Sequence, residues 1–387
     1  MKILFYGDSP AAHTGLGIVG RELLKRLPYD ITIFGVNHHG GYNGPFEIIP
    51  AFDNLGRDQL GIEDFKRLII SEEYDLLFTH MDFQVINKFV DTVLEVRRYR
   101  PLKWFVYAPL DASVIDPNVL RCAALANVIA TYADFSREII ERNIKKLKGH
   151  VHVINLGCDT EVFRPLPNRE ELRLEHFGID DDTLLVMNCN ANQWRKDLGR
   201  TMLGFKLFKM SHPRAKLYLH SPQKHIVGGD LLSQATYLGL VPGADILFTP
   251  PSFNPFRGCD DSLLNEYYNC ADMVISTSMG EGWGLTTTEA MATKTPVVMP
   301  RNSSLTEIVG TGEERGYLAE CGTTSSEWTI PYGFQNIPRP LTNVDSLIAK
   351  MHEAANPDPA KVEAAYRWVG ERSWDRTAGE WRRLIEE

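Results

Sequence analysis

The sequence predicts an α/β protein with parallel sheets in two domains. Short apolar runs alternate with stretches of helical spacing from residue 2 onward, and glycine-rich turns stand where a run gives way to a helix, at 7–17 and at 280–284. The alternation pauses at a connection stiffened by Pro165 and Pro167, then begins anew at Thr183. At 387 residues, 43% hydrophobic and 24% charged, the chain suits two ordinary domains, each burying its own core.

Composition removes several classes of function. No run of about 18 apolar residues is present to span a bilayer. The start, Met1-Lys-Ile-Leu-Phe-Tyr-Gly, reads as a strand rather than a signal peptide, so a cytoplasmic protein is expected. The six cysteines, at 122, 158, 189, 259, 270 and 321, form no C-x-x-C pair and no zinc spacing, which predicts reduced thiols, no disulfide framework and no metal site. A net charge of −9 argues against a general nucleic-acid binder.

In the first half, a strand at 2–6 runs into Gly7-Asp-Ser-Pro-Ala-Ala-His-Thr-Gly-Leu-Gly, then a helix with Val19, Leu23, Leu24 and Leu27 on one face. Gly15 and Gly17 suit either a tight turn or a close backbone approach to a ligand. Strands follow at Asp30 to Val36, Asp75 to Thr79 and Lys103 to Tyr107, with helices at Phe65 to Ile70 and Val85 to Val96. Loops at the carboxyl ends of parallel strands carry ligands, which singles out His80 with Asp82, and Asp111 as candidates, although a histidine there is more often a structural residue and acidic loop residues are usually turn formers. A helix from Ser136, its predicted cap, to Lys148 carries Arg137, Arg142, Lys145, Lys146 and Lys148. Such a face is either solvated or a contact for anionic lipid or nucleic acid. A strand from Val151 to Asn155 leads to the domain boundary at 165–167.

The second half opens with a strand at Thr183 to Asn188 and a helix at 198–210. Between them, Arg195 and Lys196 place a guanidinium and an ammonium where they can neutralise a diphosphate leaving group. A strand from Ala215 ends at His220, and Asp245-Ile-Leu-Phe-Thr-Pro is a further strand edge. Asp261 reads as a helix cap rather than part of an acidic metal motif. Pro296 to Met299 is a strand, and Asn302-Ser-Ser-Leu-Thr-Glu-Ile offers hydroxyls beside the 280–284 turn. Thr323 to Pro340 reads as an irregular flap, followed by helices from Val344 and Ala360 and a last one with Trp374 and Trp381 on one docking face.

The most informative stretch is Met279 to Thr295. A buried strand, Asp272 to Thr277, passes through a turn bearing Gly280, Gly282 and Gly284 into a helix at Leu285 to Ala292. Missing side chains and the free N–H groups of a helix start favour an anion such as a diphosphate. Glu281 and Glu289 stand eight positions apart. The first can face what the anion carries, and the second, inside the helix, can accept hydrogen bonds from a neutral polyol such as a ribose.

Glu281-Gly-Trp-Gly-Leu-Thr-Thr-Thr-Glu-Ala-Met-Ala resembles the E-x7-E signature of retaining glycosyltransferases of family 4. Their fold is GT-B, two Rossmann-like domains with parallel sheets facing a central cleft. The resemblance implies Glu281 beside a donor sugar, Trp283, Gly284, Leu285 and Thr286 around a diphosphate, and Glu289 on the nucleotide ribose. It also implies Lys196 and Arg195 on the departing phosphates, with His220 and the 245–250 edge on the donor side. The family's loop arginine commonly lies five residues before the lysine, where this chain has Ala191; a family histidine that contacts the sugar has its counterpart near Asp111. Gly157-Cys-Asp-Thr-Glu-Val-Phe-Arg-Pro resembles the interdomain linker, and Thr14-Gly-Leu-Gly with Arg21 resembles the first loop, which carries Gly15 and Gly17.

The implied organisation is an N-terminal domain at 1–165, with the helix at about 372–387 packing back on it, and a nucleotide-sugar domain at 166–371. The implied activity is metal-independent transfer, with retention, of a sugar from a nucleotide donor, UDP or GDP, to an acceptor hydroxyl. The alternatives are an enzyme acting on a phosphorylated sugar, a glycosyltransferase that modifies a nucleic-acid base, and a non-catalytic nucleotide-sugar sensor with the same fold.

Overall fold

The computed structural model describes residues 1–51, 58–225, 227–250, 253, 258–331 and 337–387. The chain divides into two compact units. Unit 1 comprises residues 1–110, 114–157 and 374–387, and unit 2 comprises 111–113 and 158–373.

Unit 1 holds a seven-stranded parallel sheet: β1 (Lys2–Asp8), β2 (Asp30–Val36), β3 (Glu47–Pro50), β4 (Leu76–His80), β5 (Lys103–Tyr107), β6 (Val128–Thr131) and β7 (Val151–Val153), in the order β3-β2-β1-β4-β5-β6-β7. Strands buried on both faces read as near-continuous apolar runs, which is why β1 and β4 were legible without alternation. On one face Tyr6, Phe34, Phe65 and Phe89 form a cluster, with the Tyr6 ring 4.6 Å from Phe65 and 4.8 Å from Phe89. Against Phe78, Phe105 and Tyr107 packs the fully buried Trp381 of the terminal helix Trp374–Glu386.

Thr14 caps the helix Gly15–Leu24, accepting from Gly17 N at 2.9 Å, and Val19, Leu23 and Leu24 are its buried face. Gly17 is needed for closeness: a Cβ there would collide with the carbonyl oxygen of Ala12.

The structure corrects several expected elements. The helix expected over Val85 to Val96 is broken into Phe83–Ile86, a 3-10 turn Asn87–Phe89 and Val90–Tyr99. Phe89 leaves helical geometry, at φ −122° and ψ 12°, as its ring enters the aromatic cluster, so packing overrides propensity. The basic helix begins at Asp134, not Ser136, and stops at Asn143 before a 3-10 turn Lys145–Leu147. Ser136 is not its cap; buried in the first turn, it donates to Leu110 O at 3.1 Å. Like charges at Arg142, Lys145 and Lys146 oppose continuation of the helix. Lys145, Lys146 and Lys148 are exposed, and Arg137 is paired with Asp134 at 2.6 Å.

Unit 2 holds a six-stranded parallel sheet built from β8 (Leu185–Cys189), β9 (Lys216–His220), β12 (Ile246–Phe248), β13 (Met273–Ile275), β14 (Val297–Pro300) and β15 (Tyr317–Ala319), with β10 (Lys224–His225) and β11 (Gly229–Asp230) forming a short hairpin. The sheet order is β12-β9-β8-β13-β14-β15. The expected irregular flap contains structure: a 3-10 turn Ser325–Glu327 and an antiparallel pair, β16 (Trp328–Thr329) with β17 (Arg339–Pro340). Residues 332–336 of that stretch lie outside the described residues. Asp261 is the first helical residue of Asp261–Cys270 rather than its cap, which is Asp260. All six cysteines are free thiols. Among the described residues no helix is long and apolar enough to cross a membrane, and no group of three or more His, Cys, Asp or Glu side chains is arranged to hold a metal ion.

Candidate functional site

In unit 2, β8 ends in a loop that closes with a 3-10 turn at Trp194–Lys196, while β13 ends in the turn at 278–284 before the helix Leu285–Ala292. Neighbouring parallel strands bring both carboxyl ends together, and Met279 N donates to Arg195 O at 2.8 Å. Asp197 takes the left-handed conformation (φ 47°), which an aspartate tolerates, and caps the helix Leu198–Lys209.

This juxtaposition assembles an ionic cluster. Lys196 Nζ donates to Glu281 Oε1, and Arg195 NH1 lies 3.5 Å from Glu281 Oε2 and donates to Gly280 O at 2.9 Å. Asp111 joins it through Oδ2, 3.8 Å from Arg195 NH1. Burial alone would raise the Glu281 carboxyl, but the charges of Lys196 and Arg195 reverse that and hold it at about 2. Burial, with Arg195 beside it, draws the Lys196 ammonium below its ordinary range against the pull of Glu281. Ala191 is exposed in the same loop, and the guanidinium that this loop brings to the cluster is that of Arg195.

The turn is braced from Ser303 and Ser304. Ser303 Oγ accepts from Glu281 N at 2.8 Å, and Ser304 Oγ donates to the carbonyls of Glu281 and Trp283 at 2.8 and 2.6 Å. These hydroxyls, expected beside the turn, hydrogen-bond the turn itself. Gly284 precedes the helix at φ 127°, a conformation that disfavours a side chain. The helix's main-chain bonds begin with Thr287 and Thr288 donating to Gly284 O, so the N–H groups at Leu285 and Thr286 belong to the turn a helix cannot satisfy internally. Trp283 is buried, its ring stacked 6.2 Å from Trp368, and its indole N–H has no hydrogen-bond partner among the described residues.

Glu289 lies inside that helix, buried, with Tyr268 donating to Oε2 at 2.9 Å. Burial raises its carboxyl to about 7, assisted by the charge of Asp261 and opposed by the Tyr268 bond. Tyr268 was not singled out from sequence, since nothing in its local pattern distinguishes it from a core tyrosine. His220 ends β9 among aromatic rings, with Nδ1 2.9 Å from Tyr218 OH and Nε2 3.6 Å from Cys259 Sγ, and burial lowers it to about 4. It is therefore a neutral imidazole with both nitrogens engaged. Gly15 and Gly17 belong to unit 1 and stand at the helix start described there. His80, also in unit 1, is fully buried at the end of β4 with Nε2 2.6 Å from Tyr132 OH, and its Nδ1 has no hydrogen-bond partner among the described residues.

The other residue missed by sequence reasoning is Arg339. It is 1% exposed, and its guanidinium donates to Asp111 O at 2.8 Å and to Asp111 Oδ1 at 3.0 Å.

Two α/β units with parallel sheets, and a glycine turn with paired carboxylates on one of them, define a GT-B fold. Solved structures share it over the whole chain. The sucrose-phosphate synthase of Thermosynechococcus elongatus matches with a TM-score of 0.74 at 17% identity, covering 100% of this chain and 98% of that one. Alr3699/HepE of Anabaena, solved in complex with UDP-glucose, matches with a TM-score of 0.71 at 17% identity, covering 100% and 99%.

In sequence, residues 216–329 match the family model described as glycosyl transferases group 1. A putative glycosyltransferase EpsD of Bacillus subtilis is 28% identical over 177 residues, 44% of this chain and 42% of that protein. Mannosylfructose-phosphate synthase of Agrobacterium fabrum is 26% identical over 171 residues, 42% of this chain and 35% of that protein. The chain thus spans less than half the length of these curated relatives.

Proposed function

We propose that this chain is a family-4 type glycosyltransferase that moves a sugar from a nucleoside-diphosphate sugar to an acceptor hydroxyl with retention of anomeric configuration and without a metal ion. The observation that carries this reading is the meeting of Lys196, Arg195 and Glu281 beside a helix-opening glycine turn. Two cations beside the first-turn N–H groups of a helix suit a diphosphate, whose negative charge grows as the glycosidic bond breaks. Glu281 would orient the sugar, the backbone at 283–285 would hold the phosphates, and Glu289 would accept from the ribose. Retention and metal independence rest on the E-x7-E resemblance. The UDP-glucose complex of the Anabaena neighbour favours UDP as the nucleotide over GDP, and the two synthases among the similar proteins favour a phosphorylated sugar as one acceptor class to try first.

The test is a donor screen of UDP-, GDP-, ADP- and dTDP-sugars by thermal shift and by release of free nucleoside diphosphate, beside Lys196→Ala. One stabilising donor, slowly turned over by the parent protein and lost in the variant, is the expected result. Absence of any nucleotide-sugar binding at millimolar concentration would sink the proposal.

A further inference from the structure

Resting on the donor-site reading above, we propose that Arg339 is a positioning residue that neutralises and fixes Asp111, so that the cluster of Arg195, Lys196 and Glu281 keeps a net positive charge toward a diphosphate. The charges alternate along the cluster. Arg339 is 3.0 Å from Asp111 Oδ1, Arg195 stands between Asp111 Oδ2 at 3.8 Å and Glu281 Oε2 at 3.5 Å, and Lys196 pairs with Glu281 Oε1. Among the described residues, three cations thus face two carboxylates.

The Arg339 clamp is a built feature. Its planar fork takes both the main-chain and the side-chain oxygen of Asp111, a grip that an ammonium cannot reproduce. Gly280 lets the Asp111 carbonyl approach, since a Cβ there would collide with that oxygen and stand 3.0 Å from Arg339 NH1. Arg339 reaches the cluster from β17, well outside the E-x7-E stretch, and its pairing with Thr329 of β16 fixes its strand.

Removing the guanidinium alters the balance. Asp111 and Glu281 then compete for Arg195, and among the described residues two carboxylates face two cations, with no surplus positive charge for a ligand. Unpairing a largely buried charge is the costly case, because the remaining partner must be satisfied from within the site.

The experiment measures the dissociation constants of UDP and GDP by calorimetry for the parent chain, R339Q, R339K, D111N and the double variant R339Q/D111N. R339Q is expected to weaken binding of the favoured nucleotide about 10-fold or more. R339K is expected to fall between the parent and R339Q, while D111N binds at least as tightly as the parent. The double variant, in which the lost cation is matched by a lost carboxylate, is expected to return to within about threefold of the parent. A role confined to holding the main chain, through the bond from Arg339 to Asp111 O, would not be rescued by D111N.

Unchanged binding by R339Q, or a folded double variant as weak as R339Q, overturns the inference. Should R339Q fail to fold, D111N decides alone, and a tenfold loss there overturns it. If the parent chain binds neither nucleotide, the donor-site reading itself falls, an outcome distinct from a parent that binds and an R339Q that binds equally.

Discussion

The ammonium of Lys196 donates to Oε1 of Glu281 across 85 positions of sequence, and Arg195 NH1 lies 3.5 Å from the other carboxylate oxygen. The carboxyl is held at about 2 against its own burial, so the pair is charged at neutral pH. Lys196→Ala leaves a buried carboxylate short of one partner, an arrangement that costs about 3 kcal/mol. Urea denaturation at pH 7 should show a loss of that order. Because Glu281 titrates below its ordinary 4.5, its contribution is present above 4.5 and lost as pH falls through about 2. The gap between parent and variant should therefore narrow in acid; a gap independent of pH would refute this account of the pair.

Glu289 has the opposite sign. Its carboxyl is raised from 4.5 to about 7, chiefly by burial, so the stability it contributes is complete below about 4.5 and lost as pH rises through about 7. Glu289→Gln keeps the shape and cannot ionise. The parent's melting temperature, compared with that of the variant from pH 5 to pH 8.5 without nucleotide, should fall by an amount equivalent to at most about 3 kcal/mol. Parallel curves would mean that Glu289 does not ionise in that range. The same variant should bind nucleotide more weakly at pH 8 if the carboxylate accepts from a ribose.

Much of the fold could be read because local chemistry agreed with the final structure. Lys103–Tyr107 and Leu285–Ala292 fall at the bounds read from sequence, the first as an apolar run and the second as a helix opened by a glycine turn. Sequence reasoning failed where tertiary packing chose the conformation. Phe89 breaks a periodic stretch to complete an aromatic cluster, and Ser136, a good cap by type, is buried on the carbonyl of Leu110. The candidate site divides the same way. Glu281, Glu289 and Lys196 announce themselves by spacing and by charge beside a turn, whereas Arg339 lies in Ile-Pro-Arg-Pro with no neighbour to explain it. Its partner is 228 positions away, and no periodicity encodes that distance.

Gly280 is a position where the glycine serves closeness. A Cβ would enter the carbonyl oxygen of Asp111, a main-chain atom that cannot swing aside, and would stand 3.0 Å from the Arg339 guanidinium. Gly280→Ala must displace either the turn or the 111–113 segment. A loss of about 2 kcal/mol or more is expected from such overpacking, with a loss of nucleotide binding at least as large. Chemical denaturation and nucleotide titration of the same variant check both. Full stability with full affinity would show that the Asp111 approach is not required.

Trp381 tests the terminal helix within unit 1. It is fully buried, with ring centroids 4.6 Å from Phe78, 5.0 Å from Tyr107 and 6.2 Å from Phe105, three aromatic side chains from the two strands β4 and β5. Thr377 adds a hydrogen bond to Asn155 O at 2.9 Å, and Arg26 pairs with Asp375 at 2.8 Å on the exposed side, where such a pair contributes little. The docking is therefore predominantly apolar, and Trp381→Ala should cost about 3–5 kcal/mol. Hydrogen exchange should show amides of Trp374–Glu386 and of β4 and β5 losing protection together in the variant, while β8 and β13 of unit 2 keep theirs. Loss of protection confined to the helix would mean that the sheet of unit 1 does not depend on this contact, and the packing argument would fail.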